Sequence, residues 1–549
     1  MTSVFALMFM AFSGCELTDK SEIKIISPES GTFINNTQDV VAIINSPSKT
    51  IIVNGNEVDG GKNIEVNVGT ADGLGTIKAE IPGDSLFAFR SFIQGSIIEP
   101  ETQIQDSITI TLGNDTIDGG EGNTVAYLVK WLLENENLEP WINNPLQMDV
   151  QVMMTTVTVD ININEAISDD VTVSITNDQG ALQMTASLLN VEGTYTGTAA
   201  TINSTGTFHY DYINITGDLQ INSQMEIELV NTEVETSEVV LEDSGPLDSY
   251  LATLGGLFDD EVPTAIADAA ANATESIFNT LISSVSPELA LEFENNPVVQ
   301  TSTTENVAVT ADGISITYGT VFRPETAVEY IAGSGILERA AVSPEGSTNI
   351  STAIGSRFFN QISFAAWAGN NLDRSYSQGQ LENMGMSELD FPYSNLDGVD
   401  ISLLLPPLLE WKSDGPYLMV GGIEIYLRVS GTDNATAWTA AEIPVKLEES
   451  DGGYIMNVDD SREYIIHDAG FNKMSTLVDH DKVRKIMRSA IPGIIDDVFG
   501  SLPLIGINEV EINRYSEDGI FTFTPEIKTV STGDNAWNVI FDFTGVYSK

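Results

Sequence analysis

The sequence is poor in the residues that most often carry chemistry. Its 549 residues include one cysteine, three histidines and 23 lysines and arginines against 80 aspartates and glutamates, which gives a formal net charge of -57. With Cys15 alone, neither an intrachain disulfide nor a multi-cysteine metal site can form. So acidic a surface repels polyanions, because no basic stripe is present to neutralise phosphates. We therefore expect no nucleic-acid partner.

The sequence also lacks an apolar run long enough to span a bilayer. Its most apolar candidate helix, residues 354–369 (IGSRFFNQISFAAWAG), carries one charge in sixteen residues. This run is shorter than the roughly 20 residues of a membrane helix, and Arg357, Asn360 and Gln361 interrupt it. A helix that is apolar on every side is otherwise buried. We predict a soluble helix covered by other elements or by an apolar ligand.

Residues 1–15 resemble a lipoprotein signal peptide. An apolar run, 4–12, ends at Ser13-Gly14-Cys15, and Phe12 to Cys15 is similar to a bacterial lipobox, in which the cysteine is acylated. The sequence departs from that pattern in having Phe12 where leucine is usual and no basic residue before the apolar run. We expect export and a lipid anchor at Cys15, which would place the protein in the bacterial cell envelope, on the periplasmic side of the outer membrane or at the cell surface.

The next two segments differ in pattern. Residues 21–112 show short alternating strands and a turn at Asn54-Gly55, which predicts a small β-sandwich; with Val53 before the turn, it resembles the bacterial Ig-like modules. Residues 113–123 (GNDTIDGGEGN) are acidic and rich in glycine. Their carboxylates fit no EF-hand spacing, so we favour a linker over a calcium site.

Beyond residue 123 the chain repeats one order of elements. A helix at 124–138 is followed by strands, by a helical region at 248–283 that is broken near Gly255-Gly256 and Pro263, and by further strands. The parity of the alternation changes once after residue 154, which predicts a β-bulge. A second round begins with the helix at 353–369 and includes a helix at 481–499. The repeated order of helices and strands predicts a duplicated unit, with a first half at 124–325 and a second at 326–549.

Four segments carry a family resemblance: 357–372 (RFFNQISFAAWAGNNL), 403–409 (LLLPPLL), 415–429 (GPYLMVGGIEIYLRV) and 501–507 (SLPLIGI). Their order resembles the second half of the bactericidal/permeability-increasing and lipopolysaccharide-binding protein family. The resemblance implies an α+β fold of two tandem tubular lipid-binding (TULIP) barrels, long helices wrapped by curved antiparallel sheets, here preceded by a small β-sandwich. It also implies apolar cavities for acyl chains.

The sequence departs from that family in charge. Members that bind lipopolysaccharide carry a cationic tip, whereas the one basic cluster here is Lys482, Arg484, Lys485 and Arg488 on a predicted helix. Asp479 and Asp481 partly offset it, so we interpret it as a solvated helix face. Lipopolysaccharide neutralisation is therefore not expected, while binding of an apolar ligand is.

Apolar residues of the predicted helices are the candidate ligand contacts. Ordinary core packing is the alternative for each of them. The candidates are Tyr127, Leu128, Trp131, Ile277, Phe278, Leu281, Phe358, Phe359, Ile362 and Trp367.

Catalytic and cofactor motifs are missing from the sequence. His209, His467 and His480 are the only histidines, and no nucleophile elbow, phosphate-binding loop or dinucleotide fingerprint occurs. We expect no enzyme, metal or cofactor. The leading hypothesis is an exported, lipid-anchored protein that binds or transfers lipids or other apolar ligands. The alternative is a cell-surface adhesion or scaffold protein whose barrels are filled by side chains; the sequence names no protein partner.

Overall fold

The computed structural model is rich in β-structure, as the sequence predicts. Its described strands form three small sheets and three larger ones. The structure describes residues 23–83, 87–119, 124–134, 136–152, 155–199, 202–243, 257–284, 290–291, 293, 295–346, 348–383, 396–429, 435–450, 453–467, 470–471, 510–513, 520–533 and 535–548.

The N-terminal unit has two small sheets over one apolar cluster. Its strands are β1 (Lys24–Ser27), β2 (Thr32–Ile34), β3 (Val40–Asn45), β4 (Thr50–Val53), β5 (Asn56–Asp59), β6 (Ile64–Gly69), β7 (Gly73–Glu80), β8 (Phe87–Gln94) and β9 (Ile97–Ile98). One sheet has the order β1-β3-β6 and the other β2-β8-β7-β4-β5. Ala42, Ile44 and Ile77 share the cluster between them. Asn54 and Gly55 join β4 to β5 with φ of 47° and 81°, the positive values that a type I′ turn requires.

The chain then enters β10 (Ile104–Gly113), helix α1 (Asn114–Asp118) and helix α2 (Val125–Leu133). The segment favoured as a linker thus begins with a helical turn. The Asp118 carboxylate accepts hydrogen bonds from Ser174 Oγ and Ile175 N, both at 2.8 Å, which fixes that turn on the neighbouring sheet. The Thr124 hydroxyl accepts from the Tyr127 N–H at 3.1 Å and so caps α2.

The first large sheet is antiparallel and strongly curved, which confirms the predicted curled sheet. Its order is β11-β12-β13-β14-β15, with a further strand on β14. The predicted bulge after residue 154 is wrong: Val152 pairs with Thr155, so the parity changes because one strand ends and the next begins. The strands are β11 (Leu146–Val152), β12 (Thr155–Asp178), β13 (Ala181–Ala199), β14 (Ile202–Ile221), β15 (Ile227–Thr236) and β16 (Val240–Asp243).

A π-helical turn, Leu257–Glu261, leads into helix α3 (Val262–Ser284). The predicted break near Pro263 coincides with the change from the π-helical turn to α3, and Pro263 lies in the first turn of α3, where its missing N–H has no partner to lose. Gly255 and Gly256, at which a break is also predicted, lie outside the described residues. The side chains of Glu275 and Asn279 accept hydrogen bonds from the N–H groups of Leu229 and Ile227, at 2.8 and 2.9 Å, and hold α3 on β15. After α3 come β17 (Ala290–Leu291), β18 (Val298–Thr310) and β19 (Gly313–Pro324).

The second half contains the other curved sheet. Its order is β22-β23-β25-β26-β27, with β24 on β25 and two short strands on β26. The elements are β20 (Ile336–Leu337), β21 (Ile350–Gly355), helix α4 (Ser356–Ala368), β22 (Arg374–Ser377), helix α5 (Gln378–Asn383), β23 (Leu396–Leu403), β24 (Leu408–Lys412), β25 (Gly415–Val429), β26 (Ala435–Ser450), β27 (Gly453–Val458), β28 (Ile465–Ile466) and β29 (Gly470–Phe471).

A central sheet joins the two halves. With β30 (Val510–Asn513), β31 (Ile520–Thr532) and β32 (Ala536–Ser548), its order is β17-β18-β19-β10-β21-β32-β31-β30. The order is symmetric about the β10-β21 pair. Strands β18 and β31 begin 222 residues apart (520 minus 298), and β19 and β32 begin 223 apart (536 minus 313). The pairing therefore has the two-fold pattern of a duplicated unit, with the halves joined side by side in one sheet.

Several predicted features lie outside the described residues. Among these are Cys15 and the signal peptide, the helix at 481–499 with its basic cluster, His480, and the segment 501–507.

A partly buried ion cluster in the second curved sheet makes the stability of the fold depend on pH. The Glu442 carboxylate binds His467 Nε2 at 3.1 Å and the Lys412 ammonium. The bond to His467, followed by the bond to Lys412, lowers the pKa of Glu442 to about 2. Such a group stabilises the fold above its unfolded pKa of about 4.5, and this contribution is lost as the pH falls towards 2.

We therefore expect Glu442→Gln to lower the free energy of unfolding at pH 7 by about 2–3 kcal/mol. The deficit should shrink as the pH falls from 4.5, and chemical denaturation at several pH values measures it. A deficit that does not change between pH 7 and pH 3 would contradict this role. Glu448→Gln, on the neighbouring solvent-exposed ion pair with Lys446, is the control.

Candidate ligand-binding cleft

Helix α4 is buried along nearly its whole length, as predicted. Every residue from Phe358 to Trp367 is buried, including the polar Asn360, Gln361 and Ser363. Each of these polar side chains has a partner: the Asn360 carbonyl accepts from Leu409 N at 2.8 Å, Gln361 Nε2 donates to Ser107 Oγ at 2.7 Å, and Ser363 Oγ donates to Pro407 O at 2.6 Å. These hydrogen bonds offset most of the cost of removing the three side chains from water, and Asn360 Nδ2 alone among their polar atoms is buried without a partner.

The end of α4 opens into a cleft of about 680 Å³. Four segments that are far apart in the sequence form its walls: 29–33 of the N-terminal unit, 328–332 of the connection before β20, 367–373 at the end of α4, and 402–404 at the end of β23. The cleft therefore exists only because the N-terminal unit packs on the second half of the chain.

That packing is close. Gly31 is left-handed, with φ of 83°, and a Cβ there would lie 3.0 Å from the Leu404 carbonyl oxygen. The Gly422 N–H donates to Ser91 Oγ at 2.7 Å. Ile93, Leu337, Leu405 and Leu408 form a small apolar cluster of their own. The wall of the cleft at Gly31 is thus held by backbone contact and apolar burial.

Aromatic rings dominate the apolar part of the lining. Trp367 lies 5.9 Å from Phe33 between ring centroids, with the planes tilted by 53°, so neither ring covers the other completely. Phe364 contacts Trp367 at 5.6 Å and stacks on Tyr330 at 5.9 Å. Trp367 Nε1 donates to Leu403 O at 2.7 Å, which fixes the indole. Ile331, at the rim, is 58% exposed.

The polar part of the lining is acidic or neutral. Its carboxylates are Glu29, Glu329 and Asp373, and none of its members is basic. Desolvation raises the pKa of Asp373, opposed by its hydrogen bond from Leu403 N and by the nearby charge of Arg374. The Ser30 hydroxyl is buried without a hydrogen-bond partner. A ligand that supplied a polar atom there would satisfy it.

Desolvation and a hydrogen bond to Glu101 at 3.1 Å raise the pKa of Tyr330 to about 12. Tyr330 therefore lines the cleft as a neutral phenol and adds no negative charge at neutral pH. Asn370, two residues after the end of α4, is left-handed with φ of 56°, a conformation that asparagine adopts readily just beyond a helix.

The ten predicted ligand contacts differ in their exposure and in whether they line the cleft. Trp367 lines the cleft. Tyr127 is 38% exposed on α2, and Trp131 is partly buried beside the core. The other seven are each at most 1% exposed within one apolar core: Leu128, Ile277, Phe278, Leu281, Phe358, Phe359 and Ile362. A side chain that lined a space wide enough for water would show accessible surface, so these seven contact protein.

The structure adds cleft residues that the sequence did not suggest. Phe33, Tyr330, Asp373 and Leu403 come from separate segments, and none belongs to a helix with a marked apolar face. The one usable signal was Trp367, at the end of the most apolar helix.

A second cavity of about 750 Å³ lies near the start of α4. It contains Arg339, which donates to Asp72 at 2.9 Å and binds Glu410, and Arg357, whose buried Nε has no hydrogen-bond partner. Glu338 accepts a bond from Ser96 at 2.6 Å. Most of its charged groups are thus paired with protein groups, and the lining contains no aromatic side chain. The cleft at Trp367 is the better candidate.

The described residues form neither a metal site nor a membrane-spanning helix. Within the part of the chain that the structure describes, no group of three or more His, Cys, Asp or Glu side chains is arranged to hold a metal ion. Among the described helices, none has both the length and the apolarity needed to cross a membrane.

Comparisons with known proteins give only distant likenesses. No family model and no curated protein matches the sequence. Among solved structures, a lipopolysaccharide binding protein is similar over 81% of this chain and 99% of its own, with 9% identity and a TM-score of 0.37. The P47 protein from Clostridium botulinum A2 is similar over 80% of this chain and 98% of its own, with 10% identity and a TM-score of 0.25. At such scores neither likeness carries a conclusion about this chain.

Proposed function

We propose that this protein binds an amphipathic small molecule, such as a lipid, in the cleft at the end of α4. The observation that carries the proposal is the lining: three aromatic side chains, Phe33, Tyr330 and Trp367, beside polar groups in a space of about 680 Å³. Pockets for small ligands have volumes of roughly 300–1,000 Å³ and combine apolar walls with a few polar groups.

Burial of apolar surface would supply the affinity. Each methylene moved from water into such a lining contributes about 0.8 kcal/mol. An acyl chain of about 12 carbons against Trp367 and Phe33 would therefore contribute about 10 kcal/mol. After an entropic cost of association of about 4 kcal/mol, the remaining energy of about 6 kcal/mol corresponds to a dissociation constant of tens of micromolar, on the order of 10⁻⁵–10⁻⁴ M. Ile331 at the rim would extend the apolar contact.

We expect Trp367→Ala to weaken binding of dodecyl maltoside by at least tenfold, because an aromatic side chain at the centre of a site contributes about 1.4–3 kcal/mol. Isothermal titration calorimetry on the purified full chain, with the detergent below its critical micelle concentration, measures the change in affinity. Trp131→Ala is the matched control and should leave the affinity within twofold. The reverse pattern would move the ligand to the first half of the chain, and no binding by the unaltered protein would refute the proposal.

A second candidate is a structural or adhesion protein with solid barrels. The burial of the seven predicted contacts within one apolar core favours it. On that hypothesis no lipid co-purifies with the full chain in native mass spectrometry, and neither tryptophan variant affects uptake of a fluorescent fatty acid.

The sequence alone supports three further parts of the proposal. The protein would act by binding and not by catalysis, would be exported to the cell envelope, and would be tethered to a membrane through acylated Cys15. Metabolic labelling with a palmitate analogue, comparing the full chain with Cys15→Ser, tests the tether.

A further inference from the structure

The charges of the cleft restrict the polar end of its ligand. Glu29, Glu329 and Asp373 are the charged members of the lining, which includes no lysine, arginine or histidine. Near a protein surface, like charges a few ångströms apart repel each other more strongly than they do in bulk water. An anionic headgroup would therefore enter against three carboxylates with no cation in the lining to receive it.

Basic groups outside the lining offset part of that charge, since Arg90 interacts electrostatically with Glu29 and Arg374 with Asp373. Arg374 Nη1 donates to the backbone oxygens of Asn371 at 2.6 Å and Asp373 at 2.9 Å. Arg323 influences Tyr330 electrostatically. All three arginines lie outside the lining, so the charged groups that line the cleft itself are carboxylates.

Helix α4 adds to the negative potential. It has 13 residues and its C-terminal end, at Trp367 and Ala368, forms one wall. The aligned peptide dipoles of a helix place roughly half a negative charge at that end. The effect has the same sign as that of the carboxylates.

The aromatic rings favour the same class of ligand. The faces of Trp367, Tyr330 and Phe33 carry negative electrostatic potential, and a cation within about 6 Å of a ring centroid is attracted to it. An alkylated ammonium group is weakly hydrated. Aromatic side chains beside carboxylates therefore form a suitable binding site for it.

We infer that the cleft selects amphiphiles with a cationic, ammonium-type polar group over those with an anionic one. The inference rests on the proposed function, because it assigns the headgroup of the molecule whose apolar part the same cleft would bury. The carboxylates would compensate the charge and the rings would contact the alkylated nitrogen.

Three ligands with one chain length test it: dodecyltrimethylammonium, dodecyl maltoside and dodecyl sulfate, each titrated into the full chain below its critical micelle concentration at 150 mM salt. We expect the ammonium compound to bind about tenfold more tightly than the maltoside, and the sulfate to bind most weakly. Asp373→Asn and Glu329→Gln should each weaken ammonium binding three- to tenfold and lower the ratio of ammonium affinity to maltoside affinity.

The acidity of the whole chain requires a control. Glu233→Gln removes the same charge from an exposed position on β15, and it should change no affinity by more than twofold. An equal effect of Glu233→Gln and Asp373→Asn would show attraction by overall charge and overturn the inference. Equal affinity for all three ligands would overturn the inference and leave the proposed function standing, whereas no binding of any of them would refute both.

Discussion

Phe359→Ala should lower the free energy of unfolding by about 3–5 kcal/mol, the usual cost of removing a large aromatic side chain from a packed interior. Phe359 has no exposed surface and lies in the core that α4 shares with the central sheet. The surrounding strands restrict collapse into the space left behind. Denaturation followed by circular dichroism measures the loss.

The same variant distinguishes a packed core from a ligand cavity. If Phe359 lined a space that lipid fills, the alanine variant would lose less than about 1 kcal/mol and would take up more lipid. Phe359→Leu, which keeps most of the volume, should cost about 1–1.5 kcal/mol on the packed-core interpretation. A smaller loss for alanine than for leucine would contradict that interpretation.

Arg339→Met should destabilise the contact between the N-terminal unit and the second half by about 3 kcal/mol, since it leaves a partly buried carboxylate without its cation. Arg339 binds both Asp72 and Glu410, and its side chain is 16% exposed. Burial raises the pKa of Glu410, and Arg339 opposes that shift. We expect limited proteolysis to release the N-terminal unit of the variant sooner.

Two measurements make this prediction specific. A carboxyl group whose folded pKa is raised costs stability above that pKa, so the deficit of Arg339→Met should shrink as the pH falls towards 5. Arg339→Met combined with Glu410→Gln should recover most of the lost stability. A double variant as unstable as the single one would mean that Arg339 acts through its apolar stem.

The elements with the strongest local patterns could be predicted from the sequence. The apolar run 354–369 contains the whole of α4, Ser356–Ala368. The prediction is close because a glycine flanks the helix at each end, at Gly355 and Gly369. A helix is predicted at 124–138. The observed helix begins one residue later, after Thr124, and ends at Leu133. The apolar pattern does not mark the C-terminal end of this helix, because Leu138 is buried although it lies beyond the last helical residue.

The long strands could be predicted only in part. Alternation at 182–188 lies within Ala181–Ala199, whose remainder contains Thr194, Gly197 and Thr198. These residues pair through the backbone with β12 and β14 and need no apolar alternation. Polar strand ends of this kind carry no hydrophobic signal, so their length is visible only in the structure.

The cleft could not be predicted at all beyond Trp367. Residues 29–33 and 402–404 are short, unremarkable stretches whose proximity depends on how two units dock. No local pattern encodes that docking, and the acidic residues involved are common throughout so acidic a chain. The cleft is a property of tertiary arrangement alone.

The symmetric central sheet also fixes the order in which the molecule can be completed. All six residues of β21 are buried, between β10 on one side and β32 on the other. β21 ends at residue 355 and β32 begins at residue 536, so 181 residues (536 minus 355) must emerge before the second edge of β21 is covered. An open apolar edge pairs readily with other chains. During that interval the edge of β21 that β32 later covers is open to such pairing.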